Sequence, residues 1–252
     1  MNLRLVAVCI LGGALLRGQS PPASPPASDD AISTDRPAVA NSSTVVPKGS
    51  FQMENGFLLS NSHSFDGPET SMRFGLTANL ELRFSAPDYY FNTVSGFGDI
   101  SVGVKQQLGS VAGFDVSLIA FLSIPTGANG VSSHGYDPGL QLPWSRKLSD
   151  NWTAGGQFAL YWPTEPGDRR NLTGESTFLL DRQLTKSTDA FVEYAGDFPE
   201  RGGPRNLLHF GAAYKPTPHQ QLDVHVGIGL SSAEINHFIG IGYSFRFQVL
   251  NR

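Results

Sequence analysis

Gln220-Gln-Leu-Asp-Val-His-Val-Gly-Ile-Gly-Leu230 decides the fold. Leu222, Val224, Val226, Ile228 and Leu230 share one side of this stretch, and Gln221, Asp223, His225, Gly227 and Gly229 share the other. Successive side chains on a β-strand point to opposite faces, so strict alternation predicts a strand with one apolar and one polar face. The next stretch repeats the pattern. Ile235, Ile239, Ile241, Tyr243, Phe245 and Phe247 oppose Asn236, Gly240, Gly242, Ser244 and Arg246, with His237 the one polar residue on the apolar face. Further back, Ile100, Val102, Val104 and Leu108 alternate with Ser101, Gly103, Lys105 and Gln107. Trp152, Ala154, Phe158, Leu160 and Trp162 alternate with Thr153, Gln157 and Tyr161.

Carried along the chain, the pattern predicts about twelve strands: 49–60, 69–77, 80–87, 98–108, 113–123, 137–147, 152–161, 172–183, 188–197, 205–215, 219–230 and 234–247. Short links (77–79, 109–112, 148–151, 184–187, 216–218) alternate with longer ones (61–68, 88–97, 124–136, 162–171, 198–204). The link near Ser231–Ala233 reads as short where the pattern wants a longer one. Short turns on one rim and long loops on the other are the signature of an all-β, antiparallel, up-and-down transmembrane barrel. A secreted β-sandwich binding protein is the alternative, but its strands would run to only about 5–6 residues. Here each strand and its share of loop has about 19 residues, enough for a tilted bilayer crossing of about 10. Phe84, Tyr89, Tyr90, Phe91, Trp144, Trp152, Trp162 and Tyr243 sit near strand ends, as interfacial girdles do.

The first residues read as an address. Met1–Arg4 carries one positive charge, Leu5–Leu16 is apolar, and small or polar residues follow. That is the order of a secretory signal peptide, expected over 1–19, and its apolar stretch is too short to span a bilayer. Cleavage there removes Cys9, and removes Arg4 and Arg17 from the 18 basic residues that face 22 acidic ones. A thiol-free acidic product suits an oxidising envelope. Residues 20–31, with PPAS written twice, read as an extended linker, and 32–252 as the barrel.

Composition excludes other classes. No apolar run reaches the roughly 18 residues of a membrane helix. A formal net charge of -4 leaves no basic footprint for nucleic acid. No phosphate loop or dinucleotide fingerprint is present, so no cofactor is expected.

With Ile, Val, Leu and Phe facing lipid, the alternate positions face the lumen. The lumen-facing candidates are Glu54, Arg73, Glu81 and Arg83 in the first strands, and Lys105 and Asp115 in the next. Glu175, Glu193, His209, Lys215, Asp223, His225 and Arg246 follow. A charge on the lipid face costs a few kcal/mol near the midplane, whereas a wet lumen hydrates it. The plain expectation is an ion-paired core supporting the wall; the sharper one is a selective pore with charged rings. His209, Asp223 and His225 fall on neighbouring strands, but no motif turns a serine into a nucleophile, so neither catalysis nor a metal site is expected. Asp35-Arg36-Pro37 reads as a capped turn leading into the first strand, in preference to a plug in the periplasmic mouth. Pro125–Tyr136, with Gly127, Gly130 and Gly135, reads either as a mobile element at the outer mouth or as an ordinary surface loop.

Several of these stretches also carry a resemblance. Ile32-Ser-Thr-Asp-Arg-Pro37 is followed by Gly49-Ser-Phe-Gln-Met-Glu-Asn-Gly56, then by Gly75-Leu-Thr-Ala-Asn-Leu-Glu-Leu-Arg83. Gly96-Phe-Gly-Asp-Ile-Ser-Val-Gly-Val-Lys105, Ile124-Pro-Thr-Gly127 and Arg146-Lys-Leu-Ser-Asp-Asn-Trp152 complete the set. In order and spacing they resemble the MetA-pathway of phenol degradation family over about residues 32–247. The resemblance implies an outer-membrane barrel importing small hydrophobic or aromatic solutes, with the lipid bilayer and the outer-membrane assembly machinery as partners. The balanced lumen charge, which can close a narrow barrel by ion pairing, leaves a structural or surface-exposed barrel without transport as the alternative. One departure is that Gln248–Arg252 follow the aromatic run Tyr243-Ser-Phe-Arg-Phe247, where such barrels commonly end.

Overall fold

The computed structural model describes residues 31–61, 64–91, 94–165, 167, 169–233 and 237–250. The expected signal peptide, Cys9 and most of the linker lie outside these residues, as do 234–236 at the start of the last expected strand.

The described residues form an all-β, closed, twelve-stranded antiparallel barrel. Its wall strands are β1 (Ser50–Ser60), β2 (Phe65–Gly67 with Ser71–Gly75), β3 (Leu80–Ser85 with Tyr89–Phe91) and β4 (Gly96–Phe97 with Ile100–Val111). They continue as β5 (Phe114–Ile124), β6 (Asp137–Lys147), β7 (Trp152–Tyr161) and β8 (Thr173–Thr185). β9 (Thr188–Pro199), β10 (Arg205–Thr217), β11 (Gln220–Gly229) and β12 (His237–Gln248) complete the wall. Each strand pairs with the next, and β1 closes on β12 from Ser50↔Gln248 to Ser60↔Phe238. Closure leaves no edge, which is what lets a sheet sit in lipid with its backbone satisfied. A strand of 11 residues at the usual tilt spans roughly 25 Å, the height of an outer-membrane apolar band.

The burial pattern is inverted relative to a soluble protein. Outward positions such as Phe158, Phe178, Leu222 and Ile241 are 48, 51, 48 and 57% exposed. Inward positions such as Gln52, Glu54, Arg73, Glu81, Lys105 and Glu193 are fully buried. The two-residue period therefore has the orientation the sequence predicts.

Turn chemistry sets the short rim. Ala112 and Gly113, both at positive φ (52° and 82°), make the two-residue link between β4 and β5, as a tight hairpin of matching twist requires. Gly109, at φ 97°, sits where the β4–β5 register slips by one residue, a bulge that bends the strand toward that turn. Strand bounds match expectation within a few residues, with two differences. Phe65–Gly67, Tyr89–Phe91 and Gly96–Phe97, expected inside loops at 61–68 and 88–97, extend the wall at the long-loop rim. Prolines at 68 and 87 break the alternation there and hide the strands from a period count. β11 ends at Gly229 and Leu230–Ala233 follow it outside any strand, in the link expected to be short; the described part of β12 begins at His237.

The largest correction concerns residues 31–49. The expected capped turn is instead a plug: the segment crosses the inside of the barrel before joining β1. Ile32, Ser43 and Val46 are buried at 2, 3 and 2% exposure. Ile32 donates its backbone N–H to Pro218 O at the short-turn rim, and Arg246 bonds Ala31 O at 3.2 Å. The segment then passes β1, β9, β7 and β5 in turn and returns past β3.

Candidate functional site

An irregular segment inside a barrel has no ladder partner, so its backbone N–H groups need other acceptors. Wall carboxylates supply them. Glu54 accepts the N–H groups of Asp35 and Arg36 at 2.9 and 3.0 Å. Glu193 accepts those of Val39 and Ala40, both at 2.8 Å, and Glu81 accepts that of Val46 at 2.7 Å. Gln157 Oε1 accepts the Asn41 backbone N–H at 3.2 Å and its side-chain amide at 2.8 Å. Lys105 and Arg73 serve the carbonyls: Lys105 Nζ reaches Ser42 O and Thr44 O at 2.9 and 3.2 Å, and Arg73 reaches Thr44 O at 3.1 Å.

The charges around this frame balance. Arg73 lies 2.9 Å from both Glu54 and Glu81, and Arg83 lies 2.8 Å from Glu81. The wall alone therefore sets Arg73, Arg83 and Lys105 against two carboxylates. The third carboxylate comes from the plug: Asp35 stands 3.4, 2.7 and 3.0 Å from Arg73, Arg83 and Lys105. Burial pushes the Asp35 carboxyl up, but these three cations outweigh it and hold it well below the usual carboxylate range.

A second anchor runs through Arg36, which pairs with Glu69 and, at 3.4 Å, with Asp223. Its guanidinium also meets His225 Nε2 at 3.4 Å, His225 Nδ1 meets His209 Nε2 at 2.9 Å, and His209 Nδ1 meets Glu193 at 2.9 Å. Arginine can only donate, so this chain fixes both tautomers. His225 accepts at Nε2 and donates from Nδ1; His209 accepts at Nε2 and donates from Nδ1 to Glu193. Their T-shaped contacts with Phe191 and Phe238, centroids 5.2 and 5.7 Å away, hold the rings upright. Gly56 and Gly242 make the space: a Cβ at either would lie within 2.6 Å of the Arg36 side chain.

Two bodies of space flank the plug. On the short-turn side, a cavity of about 660 Å³ is bounded by residues of the plug and by Leu179, Phe191, Asp189 and Lys215. On the long-loop side, a vestibule of about 760 Å³ is lined by Phe65, Tyr90, Val131, Leu207 and Phe238. It adjoins, through Ser123 and Asp137, a slot of about 290 Å³ between Phe121, Tyr161 and Trp162, edged by Glu175 and by the Asp197–Arg205 pair. Asp99 organises the mouth. It accepts the N–H groups of Thr126, Gly127 and Ser133 at 2.9, 2.8 and 3.1 Å, pinning the 125–136 loop over the vestibule. Burial raises the Asp99 carboxyl, yet these hydrogen bonds prevail and hold it low.

Most of the sequence-predicted lumen residues converge on the plug. Glu54, Arg73, Glu81, Arg83 and Lys105 form one cluster, and Glu193, His209, Asp223 and His225 the other. Arg246 holds the plug's entry at the rim. The remaining three stand apart. Glu175 accepts from Gln157 Nε2 at 2.7 Å beside the slot, and Lys215 pairs with Asp189 at 2.9 Å in the short-turn cavity. Asp115 is exposed near the short-turn rim. His209 and His225 touch each other, while Asp223 faces Arg36 rather than completing a catalytic set. Among the described residues, no group of three or more His, Cys, Asp or Glu side chains is placed to hold a metal ion.

Sequence reasoning missed Phe121, Phe191 and Phe238 as inward aromatics and Asp35 as the balancing charge. The one signal for the latter was a charged pair, Asp35-Arg36, in a segment otherwise uncharged from Ala31 to Pro47.

The family described as "Putative MetA-pathway of phenol degradation" matches residues 34–247. No curated protein sequence matches the chain. Among solved structures, it is similar to an outer membrane channel from Pseudomonas putida F1 (TM-score 0.66, 13% identity, 81% of this chain and 97% of that one). It is also similar to the KdgM porin, solved in complex with disordered oligogalacturonate (0.59, 11%, 78% and 99%). The NanC porin is a third similar structure (0.58, 12%, 77% and 98%). At these identities the likeness is one of fold.

Proposed function

The chain belongs to the MetA-pathway of phenol degradation family, and on that premise we propose that it is a plugged outer-membrane channel passing small hydrophobic or aromatic solutes. The observation that carries this reading is the division of the lumen. An aromatic-walled vestibule and slot open on the long-loop side, a second cavity opens on the short-turn side, and one segment, 31–49, stands between them. The slot has the volume of a small-ligand site, with aromatic walls for a ring and a few polar edges for a hydroxyl or similar group. Lumen diameter grows with strand number, so a twelve-stranded wall admits only small solutes. Passage then requires the plug to shift, and between its two ends the plug is held to the wall by side-chain hydrogen bonds and ion pairs rather than by a strand ladder, which makes that shift accessible. The channel works passively and without catalytic chemistry.

The test is uptake of a panel of aromatic and aliphatic compounds in a deletion strain, complemented with wild type, Lys105→Ala and Glu193→Ala. Restored entry of aromatic compounds by wild type supports the reading, and deletion without effect on any compound defeats it. A barrel without transport is the second reading, favoured by the balanced charge that closes the lumen. Planar-bilayer recording separates the two, since reproducible unit conductance by the purified protein counts against a closed structural barrel.

A further inference from the structure

The outer surface carries a second feature that passage of solutes does not use. On the wall strands, charged residues alternate inward almost without exception, as lipid demands. Arg146 on β6 and Arg182 on β8 are the exceptions among the described residues: both face outward, both are exposed, and neither forms an ion pair with a described residue. They belong to one patch. Arg146 is level with Ala154 on β7, which is level with Leu180 on β8, and Arg182 is level with Trp152. Two strand spacings and a two-residue offset put their Cα atoms roughly 12 Å apart.

Each guanidinium lies against an aromatic face, Arg146 Cζ 4.9 Å from the centre of Phe114 and Arg182 Cζ 5.1 Å from that of Trp152. Such stacking satisfies the flat faces of the guanidinium and leaves its N–H edge free for oxygen acceptors. The floor between the two arginines is Ala154, the smallest outward side chain near that level, walled by Trp152 and Leu180. The patch lies at the short-turn rim, which in outer-membrane barrels faces the periplasmic leaflet. Ordinary interfacial arginines on a barrel need no shared notch and no common stacking geometry; this pair has both.

We propose that Arg146 and Arg182 clamp the phosphate headgroup of an anionic phospholipid in the periplasmic leaflet, with an acyl chain lying over Ala154 between Trp152 and Leu180. Paired guanidinium forks recognise phosphate oxygens in the plane of their N–H groups, and two cations with no facing carboxylate select an anionic headgroup over a zwitterionic one.

The experiment is native mass spectrometry of the full-length purified protein with an equimolar mixture of phosphatidylglycerol and phosphatidylcholine of matched acyl chains. Wild type is expected to retain phosphatidylglycerol with a preference on the order of tenfold. Arg146→Gln with Arg182→Gln should abolish that preference, while Lys147→Gln, at the same rim but facing inward, should keep it. Heat-modifiable gel mobility confirms that each variant is folded. Equal retention of the two lipids by wild type overturns the proposal whatever the variants do. So does an undiminished preference in the folded double variant, or displacement of the lipid by millimolar inorganic phosphate, which would assign the site to a free anion.

Discussion

Replacing Asp35 with alanine removes the plug's one contribution to the central charge cluster, and the structure sets the size of the effect. Arg83, Lys105 and Arg73 lose an acceptor at 2.7, 3.0 and 3.4 Å, leaving three cations facing Glu54 and Glu81. Ser42 loses the acceptor of its backbone N–H as well, at 2.9 Å. Removing one partner from a buried charge pair costs about 3–5 kcal/mol. The Asp35 side chain is 11% exposed, so some water reaches it and the low end, about 3 kcal/mol, applies. At about 1.4 kcal/mol per factor of ten, the ratio of undocked to docked plug should rise on the order of 100-fold. Liposome swelling with small neutral solutes and single-channel recording read that ratio directly. The wall itself should stay intact, shown by an unchanged heat-modifiable band. Adding Lys105→Ala to Asp35→Ala restores the balance at two against two, so the double variant should open less than the sum of the singles, with a coupling of about 1–3 kcal/mol. A folded Asp35→Ala protein with wild-type permeability, in a background where deletion of residues 32–46 does open the barrel, would refute this account of what holds the plug.

Other outcomes follow from the same contacts. Gly56→Val should push the Arg36 guanidinium from its seat, since a Cβ there lies about 2 Å from that group, and should raise conductance with little loss of barrel stability. Glu193→Gln replaces one acceptor oxygen by a donor facing Val39, Ala40 and His209, which should weaken docking by about 1–3 kcal/mol, read as a higher open fraction. Phe121→Ala should widen the slot and lower the competition of single-ring aromatics with other solutes several-fold, consistent with about 0.5–1.5 kcal/mol per aromatic contact, while leaving the flux of small sugars unchanged. Asp99→Ala should release the 125–136 loop to limited proteolysis. Because Asp99 is held below its ordinary value of 3.8, its hold on the loop is fully present above that value and is lost as pH falls through the lower one. Wild-type cleavage should therefore be constant from pH 5 to 8.

The wall was legible because lipid outside and polar contacts inside impose opposite demands on alternate residues, and β11 states that rule without interruption. Where Pro68 and Pro87 break the rule, in β2 and β3, the outer ends of the strands read as loop. The plug was not legible as structure because a segment satisfied by side chains rather than by a ladder has no period to find. Most of its charged partners are among the expected inward residues, Glu69 excepted, yet nothing in Glu54, Glu81 or Glu193 individually says that each receives peptide N–H groups. The inward aromatics were hidden for a related reason. Phe121 and Phe238 look like any other strand phenylalanine, and only the register assigns them to the lumen.

Both ends of the plug are fastened at one rim. Ala31 and Ile32 are tied to Arg246 and Pro218, and Gly49 to Gly75 beside the first residue of β1. A segment moored in this way at both ends can leave its seat between the wall charges without releasing either mooring. The lumen is thus closed by a tethered loop rather than by a detachable domain, so whatever the plug does it stays with the rim that carries its two moorings.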